Sequence, residues 1–556
     1  MIGVGVAVVP ALLILSSLVC AVLGPLSRRL CEALAVLATF VGACLSAAFF
    51  AGYLPPGPGA YGDWISRLML AVVNVLGFLI TLYSVGYMSG EAGYVRYYSL
   101  ILLFIGSMSG LVLTEDLVLL YLFWELVGVC SALLIAYWWE KPEARRAGLK
   151  AFTVTRVGDV GLLLALATVI QATGTTRIPG VIASLSGNAQ LALTVCSLLL
   201  VAAVGKSAQF PLFVWLPDAM EGPTSVSALI HAATMVKAGV YLLARFYPLL
   251  QVAPGLGELV VYLSVFTALL SALAALGASD LKKVLAYSTI NHLALMFLAI
   301  GAGALGAAMY HLLAHSMFKA LLFLCAGLII HETKTRSLDK LEGLWDAGLK
   351  FTAVAFLVGA LSLAGLPPLP GFFTKEAVLA SLESAIHGEA VLALCFALSA
   401  LSSLYIFRLF FRLFTGCCFR PLHEELDAMT VPIAVLAVLT ALGLPVLQAV
   451  HAYLGVPLEL SEVNLPAVVG AFAGLAVSYA VWGRHALAEL RLFLRPLARV
   501  ADRGFYFDDL YTFLAKRVVS ILSGTFTRLQ YGNPAVNTLW LLGFLLVLLI
   551  VVLGVI

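Results

Sequence analysis

Apolar stretches of about twenty residues, separated by short polar joints, run through nearly the whole 556-residue chain. A helix needs about 20 apolar residues to cross a bilayer. The pattern predicts about sixteen such helices. They begin near residues 3, 31, 64, 97, 116, 150, 190, 223, 256, 283, 304, 350, 387, 430, 464 and 534. The run Val4–Leu23 has no basic segment before it and reads as a first span rather than a cleaved leader. Basic residues support the alternation. Arg28, Arg29, Arg96, Lys141, Arg145, Lys282, Lys283, Arg336, Lys340 and Arg412 follow odd-numbered spans, whereas Arg67, Arg177 and Arg245 follow even ones. Basic loops stay in the cytoplasm, which places both termini outside.

Two spans are predicted to be broken. One break runs from Lys206-Ser-Ala-Gln-Phe-Pro211 to Trp215-Leu-Pro217. The other is Gly365-Leu-Pro-Pro-Leu-Pro-Gly-Phe-Phe-Thr-Lys375. Proline removes a backbone donor and clashes with the preceding turn. Unwound backbone at membrane depth survives only inside protein or beside a water-filled cavity. Paired breaks of this kind point to an internally repeated transporter. The chain's end differs. Arg484, Arg491, Arg495, Arg499 and Arg503 form a basic stretch. Phe507, Leu510, Tyr511, Leu514, Val518, Ile521 and Leu522 then share one helical face, which predicts a short amphipathic surface helix before a last span over 534–556.

Composition agrees. Charged residues make up 11% of the chain and hydrophobic residues 62%, against about 25% charged in a soluble domain. The fold class is therefore an all-α polytopic membrane protein. The net charge of +3 adds little. The nine cysteines form no C-x-x-C pair, and Cys417-Cys418 are merely adjacent, which argues against an iron–sulfur or zinc site. No cofactor and no metal is expected in this chain, and nothing points to nucleic acid.

The chemistry lies in charges kept inside apolar sequence. A charge at bilayer depth costs roughly 3 kcal/mol or more. Glu125 sits in an apolar run from Leu117 to Trp139. A carboxylate there holds its charge only beside a cation, and Lys206 is the expected partner. Snorkelling to the surface is the plain alternative for Lys206. His231 and Lys237 share Ser227-Ala-Leu-Ile-His-Ala-Ala-Thr-Met-Val-Lys237. His311, His315 and Lys319 recur at i, i+4 and i+8, on one helical face. A lone buried histidine is more often a satisfied core group, but two with a lysine in one stripe favour a proton relay. Zinc is disfavoured because the lysine would repel it. His292 extends the line. Lys375 follows the second break, with Glu376 beside it as a plain surface alternative. Asp159 pairs most simply with Arg156 three residues earlier. Asp218 and Glu221 read as a loop cap that could also serve ion entry.

Several strings together resemble the largest antiporter-like membrane subunit, the subunit L type, of the respiratory complex I (NADH:quinone oxidoreductase) family. They are Phe123-Trp-Glu-Leu-Val-Gly128, Thr155-Arg-Val-Gly-Asp159, Lys206-Ser-Ala-Gln-Phe-Pro211, Trp215-Leu-Pro-Asp-Ala-Met-Glu-Gly-Pro-Thr224, Ser227–Val236, Lys283-Val-Leu-Ala-Tyr-Ser-Thr289, His315-Ser-Met-Phe-Lys-Ala-Leu-Leu-Phe323 and Pro370-Gly-Phe-Phe-Thr-Lys375. The resemblance is strong over residues 60–420. It implies N-terminal helices over 1–96, a first half-channel over 97–251 and an inverted second one over 256–416. C-terminal helices over 417–484 and a surface helix with a last span over 485–556 would follow. It implies that Glu125 and Lys206 form the charge pair of the first half. His231, His311, His315 and Lys319 would form the central connection, and Lys375 the exit of the second half. Quinone and iron–sulfur sites would lie in partner subunits of a translocase in a prokaryotic plasma membrane. Lys237, His331-Glu-Thr-Lys-Thr-Arg336 and Leu134-Ile-Ala-Tyr-Trp138 look more like the large subunit of Mrp-type cation/proton antiporters. The long C-terminal region of that subunit is expected to be absent. The alternatives are thus a Na⁺/H⁺ antiporter subunit or a hydrogenase-type complex, with Na⁺ as the other possible ion, and a purely structural anchor.

Overall fold

A computed structural model describes residues 5–386, 388–416, 420–422, 424–425, 427–456, 463–484, 486, 499–501, 504–529 and 534–555. Arg491, Arg495 and Arg503 of the basic stretch and the Cys417-Cys418 pair lie outside these residues. The chain divides into two compact units, Met1–Asp502 and Arg503–Ile556. Among the described residues there is no strand.

The first unit begins with α1 (Val8–Leu23), α2 (Arg28–Phe50), α3 (Trp64–Tyr87), α4 (Tyr94–Leu113), α5 (Leu117–Ile135) and α6 (Pro142–Thr173). Next come α7 (Ile178–Leu185), α8 (Ala189–Lys206), α9 (Trp215–Asp218), α10 (Thr224–Ala232), α11 (Met235–Arg245), α12 (Tyr247–Val252) and α13 (Leu256–Gly277). Then follow α14 (Leu281–Gly301), α15 (Leu305–Thr333), α16 (Leu344–Ala347), α17 (Lys350–Ala364), α18 (Pro370–Ala385) and α19 (Ala390–Phe414). The unit closes with α20 (Thr430–Ala441), α21 (Gly443–Leu454) and α22 (Leu465–Ser478). The second unit holds α23 (Phe507–Leu529) and α24 (Pro534–Val555).

Among the described residues, 13 helices are long and apolar enough to cross a membrane, or up to 14 if α20 and α21, bent by 72°, count as one span. This is short of the predicted sixteen. One reason is visible in the sequence: α17 stops after 15 residues at the second break. In the second unit, α23 starts with Asp508 and Asp509 in its first turn, where the helix dipole favours acids. It covers 23 residues and carries the predicted amphipathic pattern.

The centre of the first unit is built from α10, α11, α14 and α15, buried over nearly their whole length. Outer helices such as α1 and α2 bury only one stripe. Apolar residues facing outward are what a lipid-facing helix requires. Side chains that need water or partners therefore have to find them between helices rather than towards lipid.

One local device occurs twice. Asp116 caps α5, accepting from the backbone of Val118 and Leu119. The strand-like contact beside it joins Leu117 N to Thr176 O at 2.8 Å and Ile178 N to Glu115 O at 2.8 Å. Asp280 caps α14 in the same way through Lys282 and Lys283. Its neighbours join Leu281 N to Arg336 O and Leu338 N to Ser279 O, both at 2.9 Å. Successive spans alternate in direction, so α5 and α14 start at opposite ends of the bundle. The same helix pair, α5–α6 and α14–α15, is thus laid down twice in inverted sense.

Both predicted breaks are present. Helix α8 ends at Lys206 and helix resumes only at Trp215. Helix α17 ends at Ala364 and α18 starts at Pro370. Gly365 takes the left-handed conformation (φ +78°), and a Cβ there would come within 2.9 Å of Lys375 Cδ, so the turn needs glycine twice over. A third break went unpredicted. Ala233 and Thr234 separate α10 from α11 with non-helical dihedrals, between His231 and Lys237. Asp218 and Glu221 do not cap their loop. Asp218 pairs with Lys150 at 2.6 Å and Glu221 pairs with Arg336, which tethers the loop to α6 and to the joint after α15.

Candidate functional site

Of the charged residues singled out in the sequence, some sit at mid-helix, whereas Lys206 ends α8 and Lys237 and Lys375 lie near the starts of α11 and α18. Lys319 is the middle residue of α15, and Glu125 lies within one residue of the middle of α5. Lys206, Lys237, Lys319, His231, His292, His311 and His315 are completely buried, and Asp159 and Lys375 nearly so.

In the first half the expected Glu125–Lys206 pair is not made. Glu125 pairs with Arg156 of α6. Arg156 Nη2 also lies 2.7 Å from Asp159 Oδ2, and the same oxygen lies 3.3 Å from Lys206 Nζ. The order is therefore Glu125, Arg156, Asp159, Lys206. Arg156 intervenes because it sits one turn before Asp159 and its long side chain reaches α5 first. Trp124 donates its indole N–H to Asp159, and Lys206 Nζ lies 5.5 Å from the centre of that ring. Two anions facing two cations share the cost of burial, which either sign alone could not meet.

Gly128, one turn after Glu125, makes room for this cluster. A Cβ there would stand 2.5 Å from Arg156 Nη2 and 2.6 Å from Lys206 Nζ. Both contacts are far ends of flexible side chains, so Gly128→Ala should fold at a cost of about 1–3 kcal/mol while displacing both cations. The expected result is an assembled protein with ion flux reduced several-fold, read as dye-detected proton movement in liposomes. Unchanged flux would mean the cluster's spacing does not matter.

The cluster is joined to the centre by hydrogen bonds. Ser207 donates to Val236 O at 2.8 Å, beside Lys237. Gln209 donates to Ser207 O at 2.8 Å and lies 3.5 Å from Ile290 O, two residues before His292. In the centre, Lys237 bonds Ser316 and donates to Leu312 O at 3.2 Å. Lys319 bonds Ser288 and donates to Leu285 O at 3.2 Å. His292 Nδ1 lies 3.0 Å from His311 Nε2, and His311 Nδ1 lies 3.0 Å from Thr374 Oγ1. Thr374 precedes Lys375, which donates to Ala364 O at 3.0 Å and to Ser402 Oγ at 2.5 Å. His315 packs 5.6 Å from His292, ring to ring, and His231 packs 4.6 Å from Phe323. Both ring nitrogens of His231 and of His315 are buried with no hydrogen-bond partner among the described residues. Buried nitrogens of this kind are generally satisfied by water.

Lys237, Lys319 and Lys375 have no carboxylate within ion-pair distance among the described residues; hydroxyls and backbone carbonyls serve them instead. A serine hydroxyl both donates and accepts. It can bond a lysine that holds its proton and one that has given it up. The sequence reading missed Ser288, Ser316, Thr374, Ser402 and Gln209, and it missed the role of Arg156. Their signal was weak, because a hydroxyl in an apolar helix is commonly satisfied by the carbonyl one turn back. Glu376 turns to a different partner, accepting from the backbone of Asn464 at 2.8 Å. Among the described residues no three His, Cys, Asp or Glu side chains converge as a metal site would need.

Fold and site together define a polytopic membrane protein with titratable side chains strung through the middle of an inverted helix repeat. The chain belongs to the NADH:quinone oxidoreductase/Mrp antiporter transmembrane family, whose pattern it matches over residues 114–402. Residues 50–98 match the N-terminal part of chain 5 of NADH-ubiquinone oxidoreductase (complex I). It is 37% identical over 522 residues to the F(420)H(2) dehydrogenase subunit L of Methanosarcina mazei, covering 81% of this chain and 77% of that one. It is 44% identical over 375 residues to the chloroplastic NAD(P)H-quinone oxidoreductase subunit 5 of Zygnema circumcarinatum, covering 64% of this chain. The chain spans only 53% of that relative's length. A chain of the Mrp complex from Dietzia sp. superposes with a TM-score of 0.82 at 28% identity, covering 99% of this chain and 63% of the other.

Proposed function

We propose that this chain is the proton-translocating membrane subunit of a complex I-like oxidoreductase. Electrons would pass through iron–sulfur and quinone-binding partner subunits, and this chain would hold no redox centre of its own. The observation that carries the reading is the line from the partly exposed Glu125 and Arg156 through the buried Asp159 and Lys206 to Lys237, Lys319, the histidines and Lys375. A charge change in a neighbouring subunit would pull Glu125 away from Arg156, leaving Arg156 to hold Asp159 more tightly and draw it off Lys206. Lys206 would then lose its counter-charge and pass a proton towards Lys237, His292, His311 and Lys375. Lysines along the route suit protons better than Na⁺, because a metal cation needs oxygen ligands and is repelled by ammonium groups. The setting would be the plasma membrane of a prokaryote, with both termini outside.

The second reading is a subunit of a cation/proton antiporter without redox chemistry, favoured by the superposition on the Mrp chain along nearly the whole length. Mass spectrometry of the intact complex from native membranes separates them. Partners carrying iron–sulfur clusters and a quinone-binding subunit support the redox-driven pump. A set of small membrane subunits alone overturns it in favour of the antiporter.

A further inference from the structure

Arg245, at the C-terminal end of α11, reads in sequence as a loop charge. Its side chain is only 4% exposed. The guanidinium pairs with both carboxylate oxygens of Asp63, donates to Ser66 Oγ at 2.7 Å and to Tyr241 Oη at 3.2 Å, and lies 3.7 Å over the ring of Tyr61. Asp63, by contrast, is 37% exposed. It caps α3 through Ser66 N and stands in the wall of a cavity of about 450 Å³, together with Tyr61, Ile182, Arg245 and Tyr247. The cavity lies among the joints that follow even-numbered spans, the end of the bundle with few basic residues.

The position of Arg245 on α11 links this cavity to the centre. Lys237, Tyr241 and Arg245 recur at i, i+4 and i+8 and so share one helical face. Lys237 belongs to the central line, and Arg245 ends at a carboxylate that meets solvent. Polar side chains therefore step along one face of a buried helix from mid-bundle to one end.

We propose that Asp63 is the terminal proton acceptor of a branch leaving the central line at Lys237, and that the cavity beside it is the aqueous port on the face opposite the basic loops. The proposal rests on the proton-relay reading and adds its outlet. In the transfer an N–H bond at Lys237 Nζ breaks and an O–H bond forms on the Asp63 carboxylate. The proton crosses by way of the Tyr241 hydroxyl and water. Neutral Asp63 binds Arg245 less tightly, and loss of the proton to the cavity restores the pair. Arg245 keeps its own charge throughout, so a fixed cation at the neck opposes entry of a bare cation from outside. Tyr241 and Arg245 are positioning residues here; Asp63 carries the proton.

The test uses the intact complex in liposomes, energised with NADH and a short-chain quinone. Proton translocation is followed by a pH-sensitive dye and electron transfer by NADH oxidation. Asp63→Asn keeps the shape and cannot take a proton, whereas Asp63→Glu restores a titratable group. The expected result is at least a fivefold loss of protons moved per electron in Asp63→Asn, with most of it recovered in Asp63→Glu. Parental pumping by Asp63→Asn, with Lys206→Ala defective, overturns the port and leaves the relay standing; parental pumping by both overturns the relay itself. If Asp63→Asn does not assemble, Ile182→Cys decides. Labelling it from the cavity side with a cationic methanethiosulfonate should stop pumping relative to the equally treated parent, and labelling without effect overturns the port.

Discussion

Lys206→Ala is expected to lower proton translocation by the assembled complex at least tenfold. Proton transfer by a positioned side chain commonly contributes about 10²–10⁴-fold to a rate, and Lys206 is the cation that links the first cluster to the centre. The fold should tolerate the change. Asp159 keeps Arg156 at 2.7 Å and the Trp124 indole as partners, so no carboxylate is left bare. The loss should therefore appear in dye-detected proton movement, with the complex intact on a native gel. A variant that pumps normally removes Lys206 from the relay.

Arg156→Gln is expected to act the other way, on stability first. Arg156 is the ion-pair partner of Glu125 and one of two for Asp159. Removing one partner of a fully buried pair costs about 3–5 kcal/mol. The Arg156 and Glu125 side chains are 27% and 21% exposed, so a smaller loss is expected from the charge left uncompensated. Glu125 Oε1 already has no hydrogen-bond partner among the described residues. Glutamine donates a hydrogen bond but supplies no charge. Thermal unfolding of the detergent-solubilised complex should fall clearly below the parent. Arg156→Lys should recover part of the loss, since it restores the charge without the two-pronged geometry. Equal stability of Arg156→Gln and the parent would show that Glu125 has another partner.

The contrast between these two residues marks what the sequence could and could not reveal. Lys206 and Lys375 were legible because prolines flank them, and proline dictates a break wherever it falls inside a span. The i, i+4, i+8 stripe of His311, His315 and Lys319 was legible because helical periodicity fixes a face. Which carboxylate meets Lys206 was not legible, since the choice depends on how α5, α6 and α8 rotate against one another. The i, i+3 spacing of Arg156 and Asp159 suggests a closed pair and hides the reach of the arginine to a second acid. The structure shows that one guanidinium serves both acids. The break at Ala233-Thr234 carries no proline or glycine, so nothing local announced it. Arg245 looked like an ordinary loop arginine because its burial comes from α3 and the Tyr61 loop, far away in sequence. The count of sixteen spans is not confirmed among the described residues, because a count of apolar stretches cannot foresee a helix as short as α17.

Protons moved per electron pair by the complex carrying Lys206→Arg test the central claim most directly. Arginine keeps the positive charge beside Asp159 but does not give up its proton. A relay through Lys206 predicts an assembled complex that transfers electrons and moves fewer protons per pair than the parent. The parental ratio in Lys206→Arg would contradict it, leaving Lys206 as a fixed charge that holds α6 against α8.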